Sequence, residues 1–478
     1  MTRLRFLVLA TLVIVVVGAS ALVPARADDP LDPLYPITQP LDLLTFFLSS
    51  ENTSALMPDA EGANRYFMPD WNNNGVHGED ADLQVDDSGV ETVGRFRYPC
   101  VAIDGAVTYE TVAGDCVAGD TPGAEFQTGE VRRLYFIVGN GFRLSGTLFV
   151  PHEVLDGTSA PAPGLVITNG GFAPARMYYL YSMTAARAGY VVFNFDFSGQ
   201  GTSEGDPFQA TNGPFDTGPC QIRRWCVELQ DAMRWFTGAP ITRWAGAPGT
   251  HNPAYQPAGE NAPNPVLERL DVANVAIMGQ SGGSHVAINY PWFQATGLGA
   301  DGQPLPPAAA VVALSGFAPT RASIPIQAQT ADLDFPLPGT LPHTNGPVGT
   351  KDWYDSLRAS GQGDDMLQLI VIESGSHGDT TNLPWLPRVA WSQALSTTYA
   401  VEFLDCHLRD DPAACTRAVT PLPHLSRAVA SEYDPDGPAG PSPSRCMTIP
   451  DRSTLGQLLD PLALLGGLIG QPPYDCQP

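Results

Sequence analysis

The chain of 478 residues carries 43% hydrophobic and 16% charged side chains, a balance that excludes global disorder and provides for a large buried core. That length exceeds a usual single core, so one large domain with additions, or two domains, is expected. With 25 basic against 50 acidic side chains the net charge is −25, a field that repels phosphate backbones and anionic lipid and argues against nucleic-acid partners and polybasic membrane docking.

The first element in the chain reads as an export signal, residues 1–27. Arg3 and Arg5 precede the apolar run from Phe6 to Val17, and Ala25-Arg26-Ala27 offers small residues for cleavage before Asp28. The competing reading is an uncleaved anchor, because Phe6 to Val23 is just long enough to span a bilayer. Cleavage removes three arginines and no acid, takes the net charge from −25 to −28, and delivers a secreted or periplasmic protein without stable membrane insertion. All eight cysteines lie beyond the signal: Cys100, Cys116, Cys220, Cys226, Cys406, Cys415, Cys446 and Cys476. An even count in an exported chain predicts disulfides, and the sequence-local grouping predicts the pairs 100/116, 220/226, 406/415 and 446/476. Each would close a loop of at most about thirty residues and contribute roughly 2 to 4 kcal/mol. A zinc site is the alternative use, but C-x-x-C spacing is missing, and neither a metal nor a cofactor is expected.

Residues 28–129 form an acidic N-terminal extension rich in Pro, Gly and Asn, with "PCVAIDGAVTYETVAGDC" its most β-like part. Within it, "DWNNNG" places Asp70, Asn72 and Asn74 at alternate positions before Gly75, as in the first half of a calcium loop. The twelfth position is Ala81, where a bidentate Glu belongs, so the pattern is incomplete and the competing reading is an Asn/Gly-rich surface turn.

A different texture occupies residues 130–410. Two β-rich runs in "VRRLYFIVGNGFRLSGTLFVP" are joined by Gly139-Asn140-Gly141, a hairpin signal. Apolar runs and helical patterns then alternate: "GLVIT", a helix over about 175–188, "YVVFNFD", a helix in "CQIRRWCVELQDAMRWF", a Pro/Gly-rich loop, "VAIMG" and a third helix. "AAVVALSG", "SIPIQAQ", "LQLIVIES" and a helix over about 388–407 follow. Continuous apolar strands alternating with helices predict an α/β fold, a mostly parallel sheet with helices on both faces. The C-terminal tail, 411–478, is loop-rich and is expected to be stapled by disulfides and to cover part of the core.

The chemistry concentrates in "VAIMGQSGGSH". Gly279-Gln280-Ser281-Gly282-Gly283 satisfies G-x-S-x-G, whose glycines permit a sharp strand-to-helix turn with Ser281 at its tip. The start of the next helix brings a partly positive backbone pole to the point where an oxyanion would form. Ser284, one turn into the helix, lacks that presentation and is expected to bond locally. His285 lies four residues from Ser281, but it would sit on the helix flank while the serine points away from it, so packing is its expected role.

From Val131 to about Leu408 the chain resembles the α/β-hydrolase family, and more narrowly exported dienelactone-hydrolase-like and polyester-hydrolase or cutinase-like esterases. The resemblance is carried by "NGGF" after the "GLVIT" strand, by "FDFSGQGTSEG", by the elbow and by "ESGSHGD". It implies the chain order nucleophile, acid, histidine. Ser281 is then the nucleophile and His377, in the loop after "LQLIVIES", its base. "QTADLD" resembles the family's "GTAD" turn and puts the acid at Asp332, with Asp334 as the rival. The oxyanion donors implied are the backbone of Gly282 and of Gly171 or Phe172, although Asn169-Gly170 stands where the family usually has His-Gly. Asp196 and Ser203 belong to a structural turn, and Tyr178, Tyr179 and Tyr181 are core residues by default, with an acyl-pocket role as the alternative. The expected activity is carboxylic-ester hydrolysis through an acyl-enzyme, on short-acyl or polymeric esters, because only 51 residues separate Ser281 from Asp332 and little room remains there for a lid. A peptidase or amidase on the same triad and a non-catalytic secreted binding protein are the alternatives.

Overall fold

The computed structural model describes residues 90–95, 99–101, 107–109, 129–171, 175–201, 203, 220, 222–242, 261–316, 323–331, 346–360, 366–372, 380, 390–419, 432–433 and 446–449. The signal stretch and the calcium-like "DWNNNG" lie outside them.

Short strands come first, β1 (Val90–Arg95), β2 (Pro99–Val101) and β3 (Val107–Tyr109). The expected hairpin follows as β4 (Gly129–Ile137) and β5 (Arg143–Pro151), antiparallel with Ile137 opposite Arg143. Gly141 turns it at φ 86°, a left-handed conformation that glycine adopts without penalty. After the single turn α1 (His152–Leu155) come β6 (Ala162–Thr168), α2 (Tyr179–Arg187) and β7 (Val191–Phe195). A 3-10 turn over Ala175–Tyr178 leads into α2, where the sequence pattern predicts one continuous helix. The chain continues through α3 (Arg223–Thr237), β8 (Leu270–Gln280), α4 (Gly282–Thr296), β9 (Ala310–Leu314) and β10 (Ile326–Ala331). It closes with α5 (Gly346–Ala359), β11 (Leu367–Ile372), α6 (Ala390–Leu408), α7 (Pro412–Ala418), β12 (Glu432–Tyr433) and β13 (Cys446–Ile449).

Eleven of these strands build one sheet in the order β1-β4-β5-β7-β6-β8-β9-β10-β11-β13-β12. Pairing is parallel from β7 through to β13 and antiparallel at both edges. The α/β expectation therefore holds. Sheet pairing also reaches past residues 130–410: β1 of the extension joins β4, and β13 of the tail joins β11.

The two helical layers follow from the period of two along each strand. Val166, Val191, Phe193 and Ile277 pack on the face that carries Trp225, Leu229 and Phe236 of α3, Val286 and Tyr290 of α4, and Trp353 and Leu357 of α5. Their strand neighbours Leu165, Ile167, Val192 and Met278 point the other way, onto Tyr181 and Ala185 of α2, Phe403 and Leu404 of α6, and Ala418 of α7. Since both faces are covered, the strands read as continuous apolar runs. Two of the expected disulfides are formed, Cys220–Cys226 ahead of and within α3, and Cys406–Cys415 joining α6 to α7. The other two pairs involve Cys116 and Cys476, outside the described residues.

This topology selects the place for a site. Strands β6 and β8 are neighbours, yet the chain leaves β6 toward α2 on one face and leaves β8 toward α4 on the other. Strand order reverses there, and the carboxyl ends of strands at such a reversal are where ligands bind in open α/β sheets.

Candidate active site

Ser281 occupies the junction between β8 and α4, at the carboxyl end of β8. Its backbone lies at φ 53° and ψ −118°, a conformation that a residue with a β-carbon rarely adopts and that costs on the order of 1–3 kcal/mol. The strand holds it from below: the Ser281 N–H donates to the Leu314 carbonyl of β9 at 2.8 Å. The glycines around it have a steric cause. A β-carbon on Gly279 would run into the backbone of Gly283, and one on Gly283 would meet the Thr168 and Asn169 carbonyls at the end of β6. A β-carbon on Gly282 would press on the Trp225 ring at 2.9 Å. The turn is thus as sharp as three missing side chains allow, and Ser281 remains only 7% exposed.

Its neighbours divide as the local pattern implies. The Ser284 hydroxyl lies 2.6 Å from the carbonyls of both Gly279 and Leu314, tying the first turn of α4 to two strands. His285 is buried at 3% exposure, its Nε2 3.3 Å from the Asn289 amide and its N–H donating to the Ser281 carbonyl. Both are occupied within the packing of the helix.

The loop after β6 closes on the elbow. A β-carbon on Gly170 would come within 3.2 Å of the Ser281 Cβ, and the Gly171 nitrogen lies 3.7 Å from where a β-carbon on Gly282 would sit. Gly171 is exposed while Gly170 and Asn169 are buried. Asn169 accepts from the Phe197 N–H at 3.3 Å and donates to the Gln200 carboxamide at 3.1 Å, which anchors the loop to the turn after β7. That turn is built as expected: Asp196 accepts from the Ser145 hydroxyl at 2.8 Å and the Ala175 N–H at 2.6 Å, while the Ser203 hydroxyl donates to the Asp196 carbonyl at 2.7 Å.

Two roles go beyond the sequence pattern, which marks Tyr178 as a core or acyl-pocket residue and does not mark Glu228. Tyr178, buried, accepts from the Gly170 N–H at 3.0 Å and donates to the Gln280 side chain at 2.8 Å. Burial holds its phenol well above the ordinary tyrosine range, so it stays protonated. On α3, Glu228 accepts from the Ser198 N–H at 2.9 Å and the Asn140 amide at 3.2 Å. Burial pushes its carboxyl up to about 7, against the opposing pull of the Ser198 N–H and Arg224. The aromatic cluster around Tyr178 was a signal for the first, whereas Glu228 stands among Arg224, Gln230, Asp231 and Arg234, a polar run whose burial the sequence does not mark.

Asp332, Asp334, His377 and Phe172 lie outside the described residues; the described part of β10 ends at Ala331 and that of β11 at Ile372. A cavity of about 440 Å³ walled by Thr237, Val272, Pro304 and Leu305 opens near the amino end of β8. The length of the strand, roughly 3.3 Å per residue, separates it from Ser281.

No family model matches the sequence, and no curated protein matches it. Among solved structures the chain is similar to a ferulic acid esterase from Streptomyces cinnamoneus, with 15% identity and a TM-score of 0.38 over 59% of this chain and 90% of that one. It is also similar to a hyperthermophilic esterase from the archaeon Pyrobaculum calidifontis, with 11% identity and a TM-score of 0.34 over 57% of this chain and 84% of that one.

Proposed function

We propose that this protein is an exported serine esterase of the α/β-hydrolase kind. The observation that carries the reading is the strained backbone of Ser281 at the strand-to-helix junction, at φ 53° and at the point where strand order reverses. A turn with only a structural purpose would be served better by glycine there.

In this reading the Ser281 Oγ attacks the ester carbonyl carbon while its proton passes to His377, held in the accepting tautomer by Asp332. The tetrahedral oxyanion is met by the backbone N–H of Gly282 and by that of Gly171 or Phe172. Collapse expels the alcohol with the proton from His377 and leaves an acyl-enzyme. Water then attacks the acyl carbon, giving a proton to His377, and the second collapse releases the carboxylic acid and restores the Ser281 hydroxyl. The parallel register of β8 through β11 supports this assignment, since the carboxyl ends of β8, β10 and β11 all lie at the same edge of the sheet. Export is supported by the signal-like first 27 residues and by the two disulfides. Among the described residues no helix is long and apolar enough to cross a membrane. Short-acyl or polymeric esters remain the proposed substrates.

A panel of short and long p-nitrophenyl esters, an insoluble polyester and aminoacyl anilides tests the reading on the mature chain. Turnover of short esters or polyester above anilides, with labelling by a fluorophosphonate, is the expected result; dominant anilide hydrolysis would replace esterase by peptidase. The acid is tested separately. Asp332→Asn is expected to lower kcat by about 10⁴-fold and Asp334→Asn to leave it nearly unchanged; the reverse pattern would move the acid to Asp334.

A further inference from the structure

We propose that Tyr178 and Gln280 are positioning residues whose hydrogen-bonded pair holds the loop of residues 169–171 at its working distance from Ser281. The inference rests on the serine-esterase reading above.

The geometry leaves one arrangement of protons. An amide N–H can only donate, so the Gly170 N–H makes the Tyr178 oxygen an acceptor at 3.0 Å. The phenolic proton is then free to go to Gln280 Oε1 at 2.8 Å. All three groups are buried, where a hydrogen bond is electrostatically stronger than in water and a missing partner is costly. Gln280 is the residue immediately before Ser281 and the last of β8. The elbow therefore carries its own anchor for the facing loop, and a shift of either element must break one of the two bonds.

Two consequences follow. The Gly170 N–H is committed to Tyr178, so the loop's contribution to an oxyanion falls to the next residues, Gly171 or Phe172. Gly170 also has no space for a side chain, because a β-carbon would strike the Gln280 carboxamide and stand 3.0 Å from the Tyr178 hydroxyl. Tyrosine at 178 thus acts through the loop without touching substrate. Its expected effect is on the transition state, since an error of about 1 Å in a catalytic group can cost on the order of 10²-fold in rate.

The test uses the full mature chain, a short p-nitrophenyl ester and a fluorophosphonate, with Tyr178→Phe, Gln280→Met and the double variant. We expect kcat and the rate of fluorophosphonate labelling to fall about 10- to 100-fold in each single variant with KM changed less than about threefold, and the double variant to be no worse than the poorer single one. Folded single variants with undiminished kcat, or losses that multiply in the double variant, would overturn the proposal. Should Tyr178→Phe fail to fold, Gln280→Met decides alone by the same kcat criterion. A wild-type chain that neither labels nor turns over ester would overturn the serine-esterase reading and this proposal together, whereas an active wild type with unaffected variants overturns only the positioning role.

Discussion

Replacing Ser281 with alanine is expected to reduce ester turnover by 10⁴-fold or more and to abolish fluorophosphonate labelling, while leaving stability nearly unchanged. Alanine keeps the β-carbon, and with it the strain of φ 53° and ψ −118°. Ser281→Gly should be equally inactive but more stable by about 1–2 kcal/mol, because glycine adopts that backbone without penalty. The pair separates two properties of one position: chemistry depends on the hydroxyl, and stability on the β-carbon. Activity surviving in Ser281→Ala would remove the nucleophile, and with it the proposed mechanism. A glycine variant no more stable than the alanine variant would show that the turn stores no strain at that residue.

Glu228→Gln is expected to remove a pH dependence of stability. The Glu228 carboxyl titrates at about 7 in the folded protein against an ordinary value of 4.5. The folded state therefore binds the proton more tightly than the unfolded chain. Its contribution is present in full below about pH 4.5 and is lost as pH rises to about 7, a span that corresponds to about 3 kcal/mol. The glutamine variant lacks that slope. Asp231, pushed up to about 6 by burial, titrates in the same direction in both chains, and so does the general repulsion within an acidic protein. Comparing the two chains by urea unfolding at pH 4 and pH 8 isolates Glu228: wild type should lose about 3 kcal/mol relative to the variant, and parallel profiles would contradict this. Glu228 holds the Ser198 N–H, one residue from the Phe197 N–H that binds Asn169, so ionisation also bears on the loop facing Ser281.

Much of the architecture is written locally. The strands β6, β7, β8, β9 and β11 stand out as apolar runs because burial on both faces leaves no polar phase in them. The hairpin is legible at Gly139-Asn140-Gly141 and the elbow at Gly279 to Gly283, since turn backbones demand particular residues. Helix α5 is not evident in the same way. Its first turn holds Gly346, Pro347 and Gly349, which favour a loop reading, and the buried stripe of Trp353, Tyr354 and Leu357 is short.

The sequence by itself determined the alternation of strands and helices, the serine turn, and the disulfides 220/226 and 406/415, because each depends on residues within a few positions of one another. The tertiary structure alone decided what surrounds the serine. Placing β6 beside β8 brings Gly170 against Ser281 and Tyr178 against Gln280, 102 residues later, and packs Trp225 over Gly282. No periodicity encodes such meetings. They follow from the order in which strands pair, and that order is set by the burial of two whole faces of a sheet, a property of the assembled core and not of any segment in it.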